Sequence, residues 1–284
     1  MSFPGGKNGA GVFQTLINLM PPHDVYVEAF IGGGAVMRQK KPAAVNVGID
    51  VDRIALETVR MPAGSPLPAM PCGISRPGEA RRRRTAVPAW GPKLLDPLAY
   101  PSDATRPTFE LRHGDAIEFL RTVDLPSSAL VYADPPYLLS SRKGPEDLYR
   151  FEMMDHQHRE LLRVIKQLRC RVLISGYSST LYAKELKSWN AASFQAGTRR
   201  GPAAEWVWYN YPKPEQLHDY RFVGDTFRQR DHLKRMIRRW KGKLQRMPAV
   251  KRNAVLAAIT SSARNGDEDL ALTLCGSGVS RSGR

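Results

Sequence analysis

The apolar run 129–133 ends on Asp134-Pro135-Pro136-Tyr137. Two successive prolines lack the amide hydrogens that a β ladder needs, so a strand entering this sequence must stop there. That leaves the Asp134 carboxylate pinned at a strand tip beside an aromatic ring, the geometry a binding cleft requires.

The same logic extends along the chain. Residues 25–30 read as a strand, Gly32-Gly33-Gly34 as a turn, then a short helix, a second strand over 45–49, an acidic turn at Asp50 and Asp52, and a helix to about residue 60. The alternation resumes with a strand over 109–112, a helix over 116–121, the strand 129–133, an amphipathic helix over 158–168, a strand over 171–175, a helix over 180–189 and an aromatic strand over 205–211. Near-continuous apolar strands separated by helices predict an α/β fold with a doubly wound, mostly parallel sheet. Between the two halves the pattern collapses. Ten of the 22 prolines fall within 61–107, together with the run Arg81-Arg82-Arg83-Arg84, so an irregular insert is expected there.

Charge points to the partner. The 284 residues carry 43 Lys and Arg against 27 Asp and Glu, a net charge of +16, which favours an anionic polymer. The excess is concentrated: residues 221–252 hold twelve basic residues against Asp225 and Asp231, a local net of +10. There Arg228, Arg235, Arg238 and Arg239 mix with Phe227, Leu233, Met236, Ile237 and Trp240 at helical spacing, which makes 218–260 a basic helical extension suited to DNA phosphates. Arg142 and Lys143, just past the prolines, are further candidates for nucleic-acid contact. The tail 261–284 is expected to be disordered. Cys72, Cys170 and Cys275 are scattered and form no CxxC pair, and His23, His156 and His158 lack ligand spacing, so no metal site is expected. No run approaches the roughly 20 apolar residues that span a bilayer. The expectation is a soluble, cytoplasmic protein without a membrane partner.

The residues at the strand ends suggest a chemistry. Glu28-x-Phe30-x-Gly32-x-Gly34 sits where strand gives way to helix, and glycines there let a ligand approach the backbone. Asp50, at the tip of the next strand, is placed to accept both ribose hydroxyls of a nucleoside cofactor. Asp115 in Gly114-Asp115-Ala116 follows another strand and suits either an adenine amino group or the N-cap of the helix behind it. At Asp134, the relevant problem is an aromatic amino nitrogen whose lone pair is delocalised into its ring. Acceptors on its two N–H bonds, the Asp134 carboxylate and the Pro135 carbonyl, pull it towards tetrahedral geometry, with Pro136 stiffening the loop and Tyr137 stacking on the base. A base inside a duplex has to be flipped out to reach such a site, at a cost of about a few kcal/mol.

Phe3-Pro4-Gly5-Gly6-Lys7, the segment 26–36, Gly48-Ile49-Asp50-Val51-Asp52, Gly114-Asp115-Ala116, Asp134-Pro135-Pro136-Tyr137 and Ser175-Gly176-Tyr177 occur in one order. In that order the chain resembles the Dam-like class of DNA adenine-N6 methyltransferases, particularly short phage or prophage members, over residues 3–52 and 109–255. The resemblance implies a Rossmann-like methyltransferase domain over 1–60 and 108–217, using S-adenosyl-L-methionine. Phe3 and Lys7 would contact that cofactor, Phe30, Gly32, Gly33 and Gly34 would line it, Glu28, Asp115 and Ala116 would belong to its site, and Asp50 would hold its ribose. Asp134 would face both cofactor and target. The implied partner is double-stranded DNA with one flipped adenine, met by a monomer; a partner endonuclease is left unspecified. In these enzymes the interval filled here by the Pro/Arg insert usually holds a folded target-recognition region. Cytosine-N4 or RNA adenine transfer uses the same loop chemistry, and a DNA-binding protein without catalysis is the alternative of another class.

Overall fold

The computed structural model describes residues 7, 9, 11–59, 107–142, 149–198 and 201–265. Phe3, Lys143, the insert up to residue 106 and the tail from 266 lie outside the described residues. The chain divides into two compact units, Met1–Asp225 and Thr226–Arg284.

In the first unit the elements run α1 (Val12–Ile17), β1 (Val25–Ala29), α2 (Ala35–Gln39), β2 (Val45–Asp50), α3 (Arg53–Thr58), β3 (Thr108–His113), α4 (Ala116–Thr122), β4 (Leu130–Ala133), α5 (Asp155–Gln167), β5 (Arg171–Gly176), α6 (Thr180–Glu185), β6 (Asn190–Thr198) and β7 (Gly201–Tyr209). The seven strands form one sheet in the order β3-β2-β1-β4-β5-β7-β6. The first five are parallel, and β7 adds antiparallel to β5 and to β6. This is a doubly wound, Rossmann-like sheet, closed at one edge by an antiparallel hairpin.

Successive side chains point to opposite faces of a strand, and both faces are apolar here. Val25, Val27, Val131, Ala133, Val172 and Ile174 pack under α4, α5 and α6. Tyr26, Leu130, Tyr132, Leu173, Val207 and Tyr209 pack under α1, α2 and α3. Burial on both sides explains the unbroken apolar runs that made the strands legible. The helices start on side-chain caps: Asp52 accepts from Ile54 N, Asp115 from Ile117 N, and Ser179 from Tyr182 N.

Strand order reverses between β1 and β4, whose carboxyl ends lie side by side with Ala29 opposite Ala133. Such a switch point opens a crevice between helices that leave on opposite faces, so the Phe30–Gly34 turn and Asp134 border one cleft.

Three elements depart from the sequence expectation. The helix expected over 180–189 ends at Glu185, because the chain must turn through Trp189 to enter β6. That strand, Asn190–Thr198, has too few apolar residues to advertise itself, being an edge strand that pairs on one side only. Residues 218–225 belong to the first unit rather than to the basic extension. Asp219 is buried there, accepting from Lys41 N at 2.8 Å and from the Arg221 guanidinium, which in turn donates to Gln39 O.

The second unit consists of α7 (Phe227–Arg246) and α8 (Ala249–Asn265). A capping box of Thr226 and Gln229 opens α7, and Pro248, which holds Met247 extended, separates the two helices. Since α8 runs to Asn265, residues 261–265 are helical where disorder was expected.

Gly48 on β2 shows how tightly the sheet is covered: a Cβ there would come within 2.4 Å of Ile31 Cδ1 and 3.0 Å of Leu111 Cδ2. Gly48→Ala is expected to destabilise the first unit by about 1–3 kcal/mol in urea unfolding, with a lower midpoint and an unchanged slope.

Candidate active site

The cleft is floored by the turn after β1. Phe30 takes φ 61°, a left-handed conformation unusual for a non-glycine residue, and Gly32 and Gly34 follow at φ 51° and 63°. Asp50 pins the turn: its Oδ2 accepts from Gly32 N at 2.8 Å, and its Oδ1 from Asp52 N at 2.8 Å. Burial raises the Asp50 pKa, and these amides oppose the rise. Each carboxylate oxygen keeps a second lone pair for a donor from a ligand. Gly33 completes the same turn.

Glu28, expected to line the cofactor, faces inward instead. It is 3% exposed, accepts from the Tyr26 hydroxyl at 2.8 Å and from the Met37 amide, and burial pushes its pKa up to about 8. It braces the turn from behind. Ala116 likewise has its side chain in the core, because it opens the first turn of α4 against the sheet. Asp115 performs the capping half of its two expected roles, its Oδ1 accepting from Ile117 N at 2.7 Å. The residue also borders a small pocket shared with Ile49, His113, Gly114 and Phe119 at the ends of β2 and β3.

On the other side of the switch point, the two-residue period of β4, β5 and β7 brings Tyr132, Asp134, Ser175 and Glu205 to one face. Asp134 Oδ1 accepts from Ser175 Oγ at 2.8 Å and from Lys7 Nζ at 2.7 Å. Tyr132 OH lies 2.9 Å behind Ser175 Oγ. No described residue donates to Asp134 Oδ2. Lys7 Nζ also lies 2.9 Å from Glu205 Oε1 and 2.5 Å from Tyr137 OH, and that hydroxyl donates to Glu205 at 2.8 Å. Within this cluster the side chains of Lys7 and Glu205 are each 4% exposed and that of Asp134 20%, so the cluster meets solvent through Asp134. Burial disfavours the Lys7 charge, yet Asp134 and Glu205 outweigh it and hold the ammonium well above the ordinary lysine pKa. Glu205 is raised by burial and by the nearby Asp134 charge, against the pull of Lys7.

The geometry gives several of the expected site residues intramolecular partners. Lys7, expected at the cofactor, spends its ammonium on the carboxylates. Tyr137 is 5% exposed and tied at its hydroxyl, with its ring centroid 4.4 Å from that of Tyr177 and 6.5 Å from that of Tyr149. Tyr177, just past the end of β5, and Tyr149 are the half-buried rings of this group. Arg142, expected on DNA, is turned inward: its Nε donates to the Tyr137 carbonyl, both terminal nitrogens engage Glu152, and its plane covers Tyr149. This guanidinium, 4% exposed, clamps the loop. Pro135 is buried and Pro136 half-buried, which fixes the backbone between Asp134 and Tyr137.

Glu205, Tyr149 and Glu152 were not singled out by sequence reasoning, and Ser175 entered only as part of the Ser175-Gly176-Tyr177 segment, without a role. For Glu205 a signal existed: it is the one carboxylate in the aromatic strand Gly201–Tyr209, a costly neighbour for Trp206 and Trp208 unless it is paired. In the second unit, Arg228, Arg235 and Arg239 share one face of α7 by helical spacing, with Arg238 beside them, while Leu233, Met236, Ile237, Trp240 and Leu244 form the opposite stripe. Arg235 pairs with Asp231 at 2.9 Å on the surface, a contact of little energetic weight. Among the described residues there is no cluster of three or more potential metal ligands, and no helix is long and apolar enough to cross a membrane.

No protein-family model matches the chain, and no curated protein does. Among solved structures it is similar to an rRNA methylase from Streptococcus thermophilus, at 13% identity and TM-score 0.39, covering 72% of this chain and 97% of that one. It is similar also to the N-methyltransferase NodS from Bradyrhizobium japonicum, at 10% identity and TM-score 0.39, covering 70% and 93%. A third is a dimethyladenosine transferase from Plasmodium falciparum, at 12% identity and TM-score 0.36, covering 74% and 61%.

The buried Glu28 carboxyl has a consequence for stability. With a folded pKa of about 8 against an ordinary 4.5, the folded state holds a proton that the unfolded state releases between these values, so stability falls as pH rises through that window. Urea unfolding across this range is expected to show the fall, and Glu28→Gln, which keeps an acceptor for Tyr26, is expected to flatten it. An equally steep fall in the variant would assign the dependence to other groups.

Proposed function

We propose that this protein transfers a methyl group from S-adenosylmethionine to the N6 amino group of adenine in double-stranded DNA. The observation that carries the reading is the Asp134 carboxylate: one oxygen is held by Lys7 and Ser175, the other accepts from no described residue, and it stands at the switch point beside a glycine turn held by Asp50.

The turn suits a nucleoside cofactor. A Cβ at Gly32 would meet nothing within 4 Å, so the backbone there is open to a ligand, and Asp50 offers lone pairs to ribose hydroxyls. Bound there, S-adenosylmethionine supplies an electrophilic methyl group on a sulfonium. The chain's own residues supply the rest. Asp134 Oδ2 accepts one N–H of the target amino group, and the carbonyl of Pro135, its direction set by the proline pair, accepts the other. Two acceptors on one nitrogen favour the tetrahedral geometry in which its lone pair points away from the ring. Acceptors fixed beforehand need no rearrangement as charge develops on the nitrogen. Tyr177, half-buried beside Tyr137, offers the aromatic face on which a flipped base can rest.

DNA as substrate is supported by the net charge of +16 and by the basic face of α7. Adenine as target is supported by the family resemblance in motif order.

Two outcomes follow. With labelled S-adenosylmethionine, duplex DNA is expected to be methylated, and Asp134→Ala to abolish transfer while leaving DNA affinity within about threefold, since Asp134 carries no phosphate contact. Transfer to RNA alone, or to no nucleic acid despite measurable cofactor binding, overturns the reading. DNA affinity measured against salt is expected to fall steeply, and replacing Arg238 and Arg239 with Gln to lower the slope of log affinity on log salt by about 1–2. An unchanged slope removes α7 from the DNA interface.

A further inference from the structure

Glu205 is a buried carboxylate in a strand that otherwise presents aromatic and small side chains, contributed by the antiparallel hairpin rather than by the parallel sheet. A buried ion pair or triad is a weak source of stability, and replacing one with apolar groups is often neutral or stabilising, so its presence asks for another account. Its neighbours supply one. Glu205 Oε1 is 2.9 Å from Lys7 Nζ and 2.8 Å from Tyr137 OH, and the same Lys7 Nζ is 2.7 Å from Asp134 Oδ1. Without Glu205, more of the charge of Lys7 would fall on Asp134 inside a site of low polarity, drawing the negative charge of that carboxylate onto Oδ1 and away from Oδ2.

We propose that Glu205 is a positioning residue for methyl transfer: by sharing Lys7 and anchoring Tyr137, it fixes the ammonium on Asp134 Oδ1 and offsets its charge, so that Oδ2 faces the target amino group as a strong, correctly aimed acceptor. This rests on the methyltransferase reading of the site. Glu205 acts through Lys7 and Tyr137 and touches neither substrate nor cofactor. The groups that set its charge state are Lys7, Asp134, Tyr137, Tyr132 and Tyr177, from the N-terminal segment and from β4, β5 and the loops that follow them. Burial and Asp134 raise its pKa, against the pull of Lys7.

The test compares the full-length wild type with Glu205→Gln, which keeps the acceptor oxygen but removes the charge, and with Glu205→Asp, which keeps the charge. Each is first shown to be folded by circular dichroism melting, then assayed with labelled S-adenosylmethionine and duplex DNA across pH. Glu205→Gln is expected to lower kcat roughly ten- to a hundredfold, the scale set by misplaced catalytic groups, with both KM values within about threefold. The acid limb of its rate profile is expected to move to lower pH, because a negative charge has left the cluster. Glu205→Asp is expected to regain part of kcat and the wild-type limb. Wild-type kcat in Glu205→Gln, or a loss carried by KM with an unmoved limb, overturns the proposal.

A second readout does not depend on turnover. In cofactor-free protein, NMR of nitrogen-labelled lysine side chains is expected to show the Lys7 ammonium titrating at lower pH in Glu205→Gln than in wild type. An unmoved Lys7 signal overturns the role of Glu205 whatever the activity. A moved Lys7 signal with no transfer by the wild type supports the Glu205–Lys7 coupling and overturns the methyltransferase reading alone.

Discussion

Lys7 Nζ is a cation sealed inside the protein, and its counter-charges come from two strands that are not neighbours in sequence. An ammonium removed from water without partners costs several kcal/mol, so the N-terminal segment, β4 and β7 must meet around it. Much of the cleft follows from that requirement. Asp134 is drawn to one side of its loop, Tyr137 is tied down by its hydroxyl, and the terminal hairpin is locked against the parallel sheet. The Arg142–Glu152 pair secures the loop from the other end by holding the Tyr137 carbonyl. Between these two clamps the proline pair has little freedom, which is what an acceptor that must not reorganise needs.

The floor of the cleft is held by a different device. Phe30 and the glycines that follow adopt backbone conformations of positive φ, and the turn they make is stitched to β2 through Asp50. A carboxylate that accepts from its own turn can also accept from a ligand, since each oxygen has capacity for more than one donor. The same side chain thus shapes the site and is available to it. Asp115 shows the same economy, capping α4 while bordering a pocket. Glu28, by contrast, is committed wholly to the interior.

What could be read from the sequence followed from period and punctuation. Strands buried on both faces announce themselves as apolar runs, and Asp134-Pro135-Pro136-Tyr137 announces a strand that stops, so β1 to β5 and the aromatic β7 were legible, while the strand order was not. Nor was β6, because an edge strand whose one large apolar residue, Phe194, stands among Asn, Ala, Ser, Gln, Gly and Thr carries no such signal. Side-chain direction was the larger blind spot. That Arg142 pairs with Glu152, and that the Tyr137 hydroxyl sits between Lys7 and Glu205, follow only from three-dimensional proximity. Glu205 and Ser175 come from strands far along the chain from Asp134, so no local pattern joins them to it.

The antiparallel edge has a consequence for how the chain is made. Lys7 emerges early in synthesis and Asp134 midway, but Glu205 lies on β7, the last strand of the first unit. A chain that has built the parallel sheet therefore still lacks the Glu205 carboxylate as a counter-charge for its buried ammonium, and that pairing forms only when the hairpin folds back.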